Sequence, residues 1–386
     1  MSVKLFSFGS WRSTRNVVAI AAFGLLSACD DFAPMPSAPS GAKMKEVKVA
    51  ILTPQSDEDS TGVANSLQMA ATMAAEDVKG LSITLSPYDT GAQPEQAAAQ
   101  ARAAVNEGAD IILGPLFGES ANAAALAIAG SNVNVLSFSN NQTIAGNNLF
   151  ILGSTFTDKA VRLMEHARAN GIARPVLVYP DTLEGEFGRA AVQNAAMMLN
   201  TPLAGTVNFE FTQTGIVEAI PLIKDMVTQT GADGIILTAR STGALPLLSQ
   251  MMYDQGITSQ QVKFLGLSRW DIPAQTLTSS ALQGGWFVLP DQSRAQTFQS
   301  RYAARFGEAS HPIAGLAYDG IAAIAALANQ GGPAPLSKAR LSQSAGFVGV
   351  EGIFRFTPQG TNERGYSIGQ VDNGRVIIVS PAPTQF

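Results

Sequence analysis

Short apolar runs alternate with helix-length amphipathic segments from Val47 onward, and few folds are open to a chain patterned in this way. Val47 to Pro54 (VKVAILTP) is a β-branched run closed by proline, which reads as a buried parallel strand. In residues 61 to 79, Val63, Leu67, Ala70, Ala71, Ala74 and Val78 recur at the three-to-four spacing of one buried helix face, and Gly80 supplies the stop. The unit repeats with strand 81 to 88, helix 94 to 107 between Pro94 and Gly108, strand 110 to 114 (DIILG), a helix near 119 to 129 and strand 133 to 138 (VNVLSF). A second series holds helix 158 to 170 ended by Gly171, strand 175 to 179 (PVLVY), helix 186 to 199, strand 204 to 210 and strand 234 to 239 (GIILTA). Pro221 is expected to open a helix, because an interior proline costs about 3 kcal/mol. Helix 243 to 254, strands 263 to 267 and 285 to 289, and helices 295 to 306 and 313 to 328 follow. The pattern predicts an α/β fold of right-handed βαβ units, with two doubly wound parallel sheets covered on both faces. From Gly349 to Val379, Gly352, Gly360, Gly365, Gly369 and Gly374 punctuate short β-type runs, which predicts antiparallel hairpins.

The N-terminal stretch has a different character. Lys4, Arg12 and Arg15 precede the uncharged run Val17 to Leu26 (VVAIAAFGLL), the charged and apolar regions of a secretory signal. The apolar stretch from Val17 to Ala28 falls short of the roughly 20 residues that a spanning helix needs. Leu26-Ser27-Ala28-Cys29 resembles the bacterial lipobox, which implies diacylglycerol on the Cys29 thiol and cleavage after residue 28. Cleavage would leave 22 basic and 30 acidic residues, a net charge of −8, so attachment would depend on acyl chains rather than on anionic lipid. Asp30 resembles a retention signal for the inner membrane, and the anchoring membrane, inner or outer, stays open. Residues 29 to 45, rich in Pro, Ser and Ala after the cysteine, read as a tether.

Composition narrows the function. Only 14% of the 386 residues are charged, and 25 basic residues against 30 acidic ones leave no cationic surplus for phosphates, so nucleic-acid binding is not expected. One cysteine and two histidines leave no disulfide framework and exclude most His or Cys metal sites. A nucleophilic Ser or Cys needs a nearby base; His166 reads as a solvated mid-helix residue, and His311 precedes Pro312 at a loop-to-helix joint. Gly118-Glu119-Ser120 lacks the second glycine of a nucleophile elbow, and no phosphate-cradling glycine loop is present. Asp57-Glu58-Asp59 reads as a solvated loop after the first strand. The reading is of a protein that is not an enzyme and takes no cofactor.

Three late motifs carry a family resemblance: Phe298, Tyr302 and Phe306-Gly307; then Ala317-Tyr318-Asp319-Gly320; then Gly349 to Gly360 (GVEGIFRFTPQG). In this order and spacing the chain resembles type I periplasmic binding proteins, particularly the branched-chain amino acid binding family, from about Val47 to Val379. Phe298, Tyr302 and Phe306 themselves read as a helix core stripe away from any ligand. The resemblance implies two lobes joined by several crossing segments: the first over 46 to 155, completed by return segments about 291 to 335 and by the C-terminal hairpins; the second over 156 to 290; and a hairpin region over 336 to 386. Hinge closure on a small molecule would follow, with the ligand at the carboxyl ends of the strands.

That geometry selects candidate residues. The helix after Leu113-Gly114-Pro115-Leu116 has Ser120 in its first turn, where the hydroxyl either caps the helix or joins free N–H groups in seating a ligand carboxylate. The resemblance implies ligand contacts on this loop and the next, which favours Ser120, Ser139 and Asn140. Phe187 stands where relatives carry Tyr-Gly, and Ser241 where they commonly carry an aromatic. Amino-acid binders usually present an acid to the ligand ammonium after the strand at 263 to 267, whereas this chain reads Ser268-Arg269-Trp270-Asp271. Arg269 would attract an anion, Trp270 could stack on a ring, and Asp271 could take the ammonium. Implied partners are a small ligand and the permease of an ABC importer; the alternative is an envelope lipoprotein of penicillin-binding protein activator type, contacting a peptidoglycan synthase.

Overall fold

A computed structural model of the protein describes residues 44–386; the signal, Cys29 and nearly all of the tether lie outside the described residues. The first series builds β1 (Glu46–Thr53), α1 (Thr61–Asp77), β2 (Ser82–Asp89), α2 (Pro94–Asn106), β3 (Ile111–Leu113), α3 (Gly118–Ala127), β4 (Asn134–Ser137) and β5 (Leu149–Ile151). These five strands form a wholly parallel sheet in the order β2-β1-β3-β4-β5. Strand periodicity sorts its side chains. Val47, Val49 and Ile51 pack with Leu67, Ala70 and Ala74 of α1, whereas Ala50 and Leu52 pack with the alanines of α2 and α3 on the other face. The three-residue β5 is too short to stand out in the sequence.

The second series builds α4 (Phe156–Ala169), β6 (Pro175–Pro180), α5 (Leu183–Met198), β7 (Gly205–Phe209), α6 (Gln213–Thr230), β8 (Gly234–Leu237), α7 (Leu245–Asp254), β9 (Lys263–Gly266) and β10 (Trp286–Leu289). Val176 and Val178 face α6 and α7, and Leu177 and Tyr179 face α4 and α5. Pro221 lies inside α6 rather than at its start. The proline and Val217, whose carbonyl it deprives of an N–H partner, are both exposed, so the break falls on the solvent side of the helix.

The remaining elements are α8 (Gln292–Phe306), α9 (Gly315–Gln330), α10 (Lys338–Leu341), β11 (Phe347–Gly349), β12 (Gly352–Phe356), β13 (Asn362–Arg364), β14 (Ser367–Asp372) and β15 (Arg375–Ser380). Phe298 and Tyr302 of α8, the apolar face of α9, and Phe347, Phe354 and Phe356 of the antiparallel β11-β12-β13 sheet complete the first lobe's core. The last hairpin departs from expectation. β14 and β15 extend the second sheet, whose order is β15-β14-β10-β9-β8-β6-β7, with β14 antiparallel to β10. The reason is burial: Ile368 and Val371 fill opposite faces of the second lobe's core, beside Val288 and Leu289.

Three connections therefore run between the lobes: residues 152–155, 290–291 and 365–366. Each is bonded to residues that flank it. The Asn362 amide donates to the carbonyls of Ile151 (2.7 Å) and Gly153 (2.9 Å), and Arg364 donates to Leu152 O (3.0 Å) and to Asp319 (2.8 Å). Asp291 N–H donates to Glu351 O (3.1 Å), and Arg162 donates to Tyr366 O (2.8 Å).

Candidate functional site

Both sheets present the carboxyl ends of their strands to one cavity of about 630 Å³, within the few-hundred to thousand cubic ångström range of small-molecule pockets. In the first lobe its wall comes from the loops after β3 and β4. Gly114 has φ +97°, and a Cβ there would stand 2.1 Å from Leu52 O, so glycine alone lets this turn cross β1. The turn places Leu116, Phe117 and Gly118 on the wall, and α3 begins without a side-chain cap. Ser139 N–H donates to Ser137 Oγ (3.1 Å), and Asn141 N–H donates to Ser139 Oγ (3.1 Å), leaving the Ser139 hydroxyl proton free for a guest. Gly153 lets the first crossing pass close by, since a Cβ would meet Phe138 O and Ser139 O at 2.5 Å.

The opposite wall carries Lys159, Arg240 and Arg269, and the hinge side carries Glu351, Tyr366 and Ser154. Arg240 pairs with Glu184 at 3.1 Å, and Arg269 grips Asp271 at two points, Nε donating to Oδ1 at 2.8 Å. Glu351 lies 3.9 Å from Arg364, which the fully buried Asp319 holds at 2.8 Å. Lys159 Nζ sits 5.7 Å and 6.0 Å from the ring centres of Phe156 and Tyr366. Among the described residues, no carboxylate reaches ion-pair distance of it.

Burial dominates the protonation equilibria here. It lowers the Lys159 pKa, and Glu351 partly opposes the shift. It raises Asp158, the preceding residue, to about 7, against hydrogen bonding from Thr155. Asp319 rises to about 6 by burial despite the pull of Arg364, and the Tyr366 hydroxyl is likewise pushed up by burial. His311, on the cavity rim, is lowered by burial.

The residues singled out from sequence divide by position. Ser139, Asn140 and Arg269 line the cavity together; Ser120, Phe187, Ser241, Trp270 and Asp271 lie off its wall. Ser120 is buried in α3 with its hydroxyl unpartnered. Phe187 is a half-exposed residue of α5. The Ser241 hydroxyl donates to the carbonyls of Arg269 (3.1 Å) and Ile272, so it shapes the Arg269 loop. Trp270 is fully buried, stacked on Phe287 at 5.6 Å, and closed in by Gly266 and Gly285, where a Cβ would stand 2.3 and 2.6 Å from its ring. Its ring is spent on the core. Asp271 is held by Arg269.

Lys159, Arg240, Glu351, Tyr366, Ser154 and His311 were not singled out as pocket residues from the sequence. One signal for Lys159 was available: a lysine near the start of α4 opposes the helix dipole and needs another reason to be there.

The sequence profile described as periplasmic binding protein matches residues 46–375. A search of curated proteins finds no match. Among solved structures, the chain is similar to one from Rhodospirillum rubrum described as a branched-chain amino acid ABC transporter, with TM-score 0.75 and 16% identity, covering 86% of this chain and 100% of that one. A branched-chain amino acid ABC transporter periplasmic ligand-binding protein from Burkholderia xenovorans gives TM-score 0.68 and 18% identity over 87% and 96% of the two chains. An ABC transporter substrate-binding protein from Desulfitobacterium hafniense, in complex with Leu, gives 0.64 and 21% over 86% and 100%. At these identities the structural likeness is one of fold. With the profile spanning both lobes, and with two parallel sheets facing one cleft across three connections, the chain belongs to the periplasmic binding protein family and has its type I fold.

Proposed function

We propose that the protein is a lipid-anchored extracytoplasmic solute-binding protein that takes a small ligand of amino-acid size between its lobes and presents it to the permease of an ABC importer. The observation that carries this reading is the cavity of about 630 Å³ walled by both lobes at the strand ends. Closure about the three connections would desolvate the guest. The structures from R. rubrum and B. xenovorans are described as branched-chain amino acid transporter components, and the one from D. hafniense holds Leu, which supports a guest of this size. The anchor is the acylated Cys29, at the head of a tether of about 16 residues. A cognate ligand at about 100 times its dissociation constant stabilises the folded chain by about 2.7 kcal/mol, so a thermal-shift panel of amino acids and small carboxylates tests the reading. A panel without any shift counts against it.

One observation favours a second reading. Asp271, the acid nearest in sequence to the family's ammonium position, is held by Arg269. A penicillin-binding protein activator on the same scaffold needs no ammonium site, because it acts by contact with a peptidoglycan synthase. Crosslinking followed by copurification separates the two: a permease partner supports the importer, a synthase the activator.

A further inference from the structure

Within that solute-binding reading, the geometry points to the hinge end of the cleft as the anion seat: the ligand is a small organic acid without an ammonium group, its carboxylate held between the Lys159 ammonium and the Tyr366 hydroxyl. Two independent features meet there. Lys159 lines the cavity with no carboxylate at ion-pair distance among the described residues, an unusual state for a half-buried cation. Tyr366 is 2% exposed, lines the same cavity, and has a buried hydroxyl with no well-formed hydrogen-bond partner; Ser154, its neighbour on that wall, is near enough to lower its pKa. A buried donor left unmade costs about 1–3 kcal/mol, which a bound carboxylate oxygen would recover. The Lys159 nitrogen lies 6.0 Å from the Tyr366 ring centre, close enough for both groups to reach one carboxylate.

The charges around the cleft reinforce this. Lys159, Arg240 and Arg269 face it with Glu351, but Arg240 is paired with Glu184 and Arg269 with Asp271, so Lys159 is the unpaired cation of the wall among the described residues, in a mature chain whose net charge would be −8. An unpaired cation recessed in an acidic body draws anions selectively. The nearby acids are engaged: Glu351 and Asp319 by Arg364, and Asp271 by Arg269.

The test is calorimetry and thermal shift on the full chain with leucine, its deaminated analogue 4-methylpentanoate, and benzoate. A carboxylate lacking the ammonium is expected to bind, and more tightly than leucine. Lys159→Met should weaken it on the order of tenfold or more, the loss expected for a hydrogen bond to a charged group. Lys159→Arg should retain most of the affinity, and Tyr366→Phe should weaken it several-fold with the ligand-free melting temperature little changed. Leucine binding more tightly than 4-methylpentanoate, or affinity undiminished in Lys159→Met, overturns the assigned seat while leaving a solute-binding protein. No shift with any of the three probes, in a chain that melts cooperatively, counts against both the seat and the solute-binding reading.

Discussion

Asp319 shows how one side chain ties a motif to the architecture. It stands in Ala317–Gly320 on α9, fully buried, and accepts from Val350 N–H at 2.6 Å and from Arg364 at 2.8 Å. Gly349 has to be glycine because a Cβ would stand 2.2 Å from the carboxylate. Its neighbour Tyr318 donates to Asp77, which Arg301 also grips. Removing one partner of the buried pair leaves an uncompensated charge, so Arg364→Met is expected to cost about 3–5 kcal/mol in urea unfolding. Adding Asp319→Asn should restore part of that; a double variant no more stable than the single one would contradict the account. Trp270→Ala is likewise expected to cost about 3–5 kcal/mol, the loss for a buried large aromatic. A cost below 1 kcal/mol would show that Trp270 is not core. At this scale the sequence was legible where apolar spacing decides: Phe298 and Tyr302 read as core and are core. It was opaque for Lys159 and Tyr366, whose meeting depends on a crossing segment more than 200 residues away from Lys159 along the chain.

Helices and strands followed their punctuation closely. Pro94 opens α2, and Gly171 and Gly307 follow the ends of α4 and α8 with positive φ. Helix α6 is the exception, because a proline in sequence marks a break without showing which side of the helix faces water. Pro221→Ala is expected to stabilise the protein by about 1–3 kcal/mol, since it restores a backbone donor in an exposed helix interior. An unchanged or lowered urea midpoint would refute that. The hairpin of β14 and β15 was legible as a hairpin, but local pattern says nothing about which sheet receives it. Tertiary burial of Ile368 and Val371 made that choice.

The whole molecule carries its pH sensitivity near the connections. Asp158 titrates at about 7 when folded, against an ordinary value of 3.8. A raised folded value means its contribution is fully present below about pH 4 and is lost as pH rises through 7. Stability measured from pH 5 to pH 8 should therefore fall more steeply in the native protein than in Asp158→Asn. Parallel curves would exclude Asp158 as the source. Two lobes and a cleft between them were readable from alternation and motif order, while the cleft's cations were not, because they converge from α4 and from the loops after β8 and β9. The interleaving of the lobes has one more consequence, for the order of folding. The face of the first sheet that holds Val49 and Ile51 is finished by α8, α9 and β12, from the last quarter of the sequence. A nascent chain can cover that apolar face only with α1 until synthesis is nearly complete, so neither lobe will fold as a contiguous fragment, and refolding should be slow for a chain of this size.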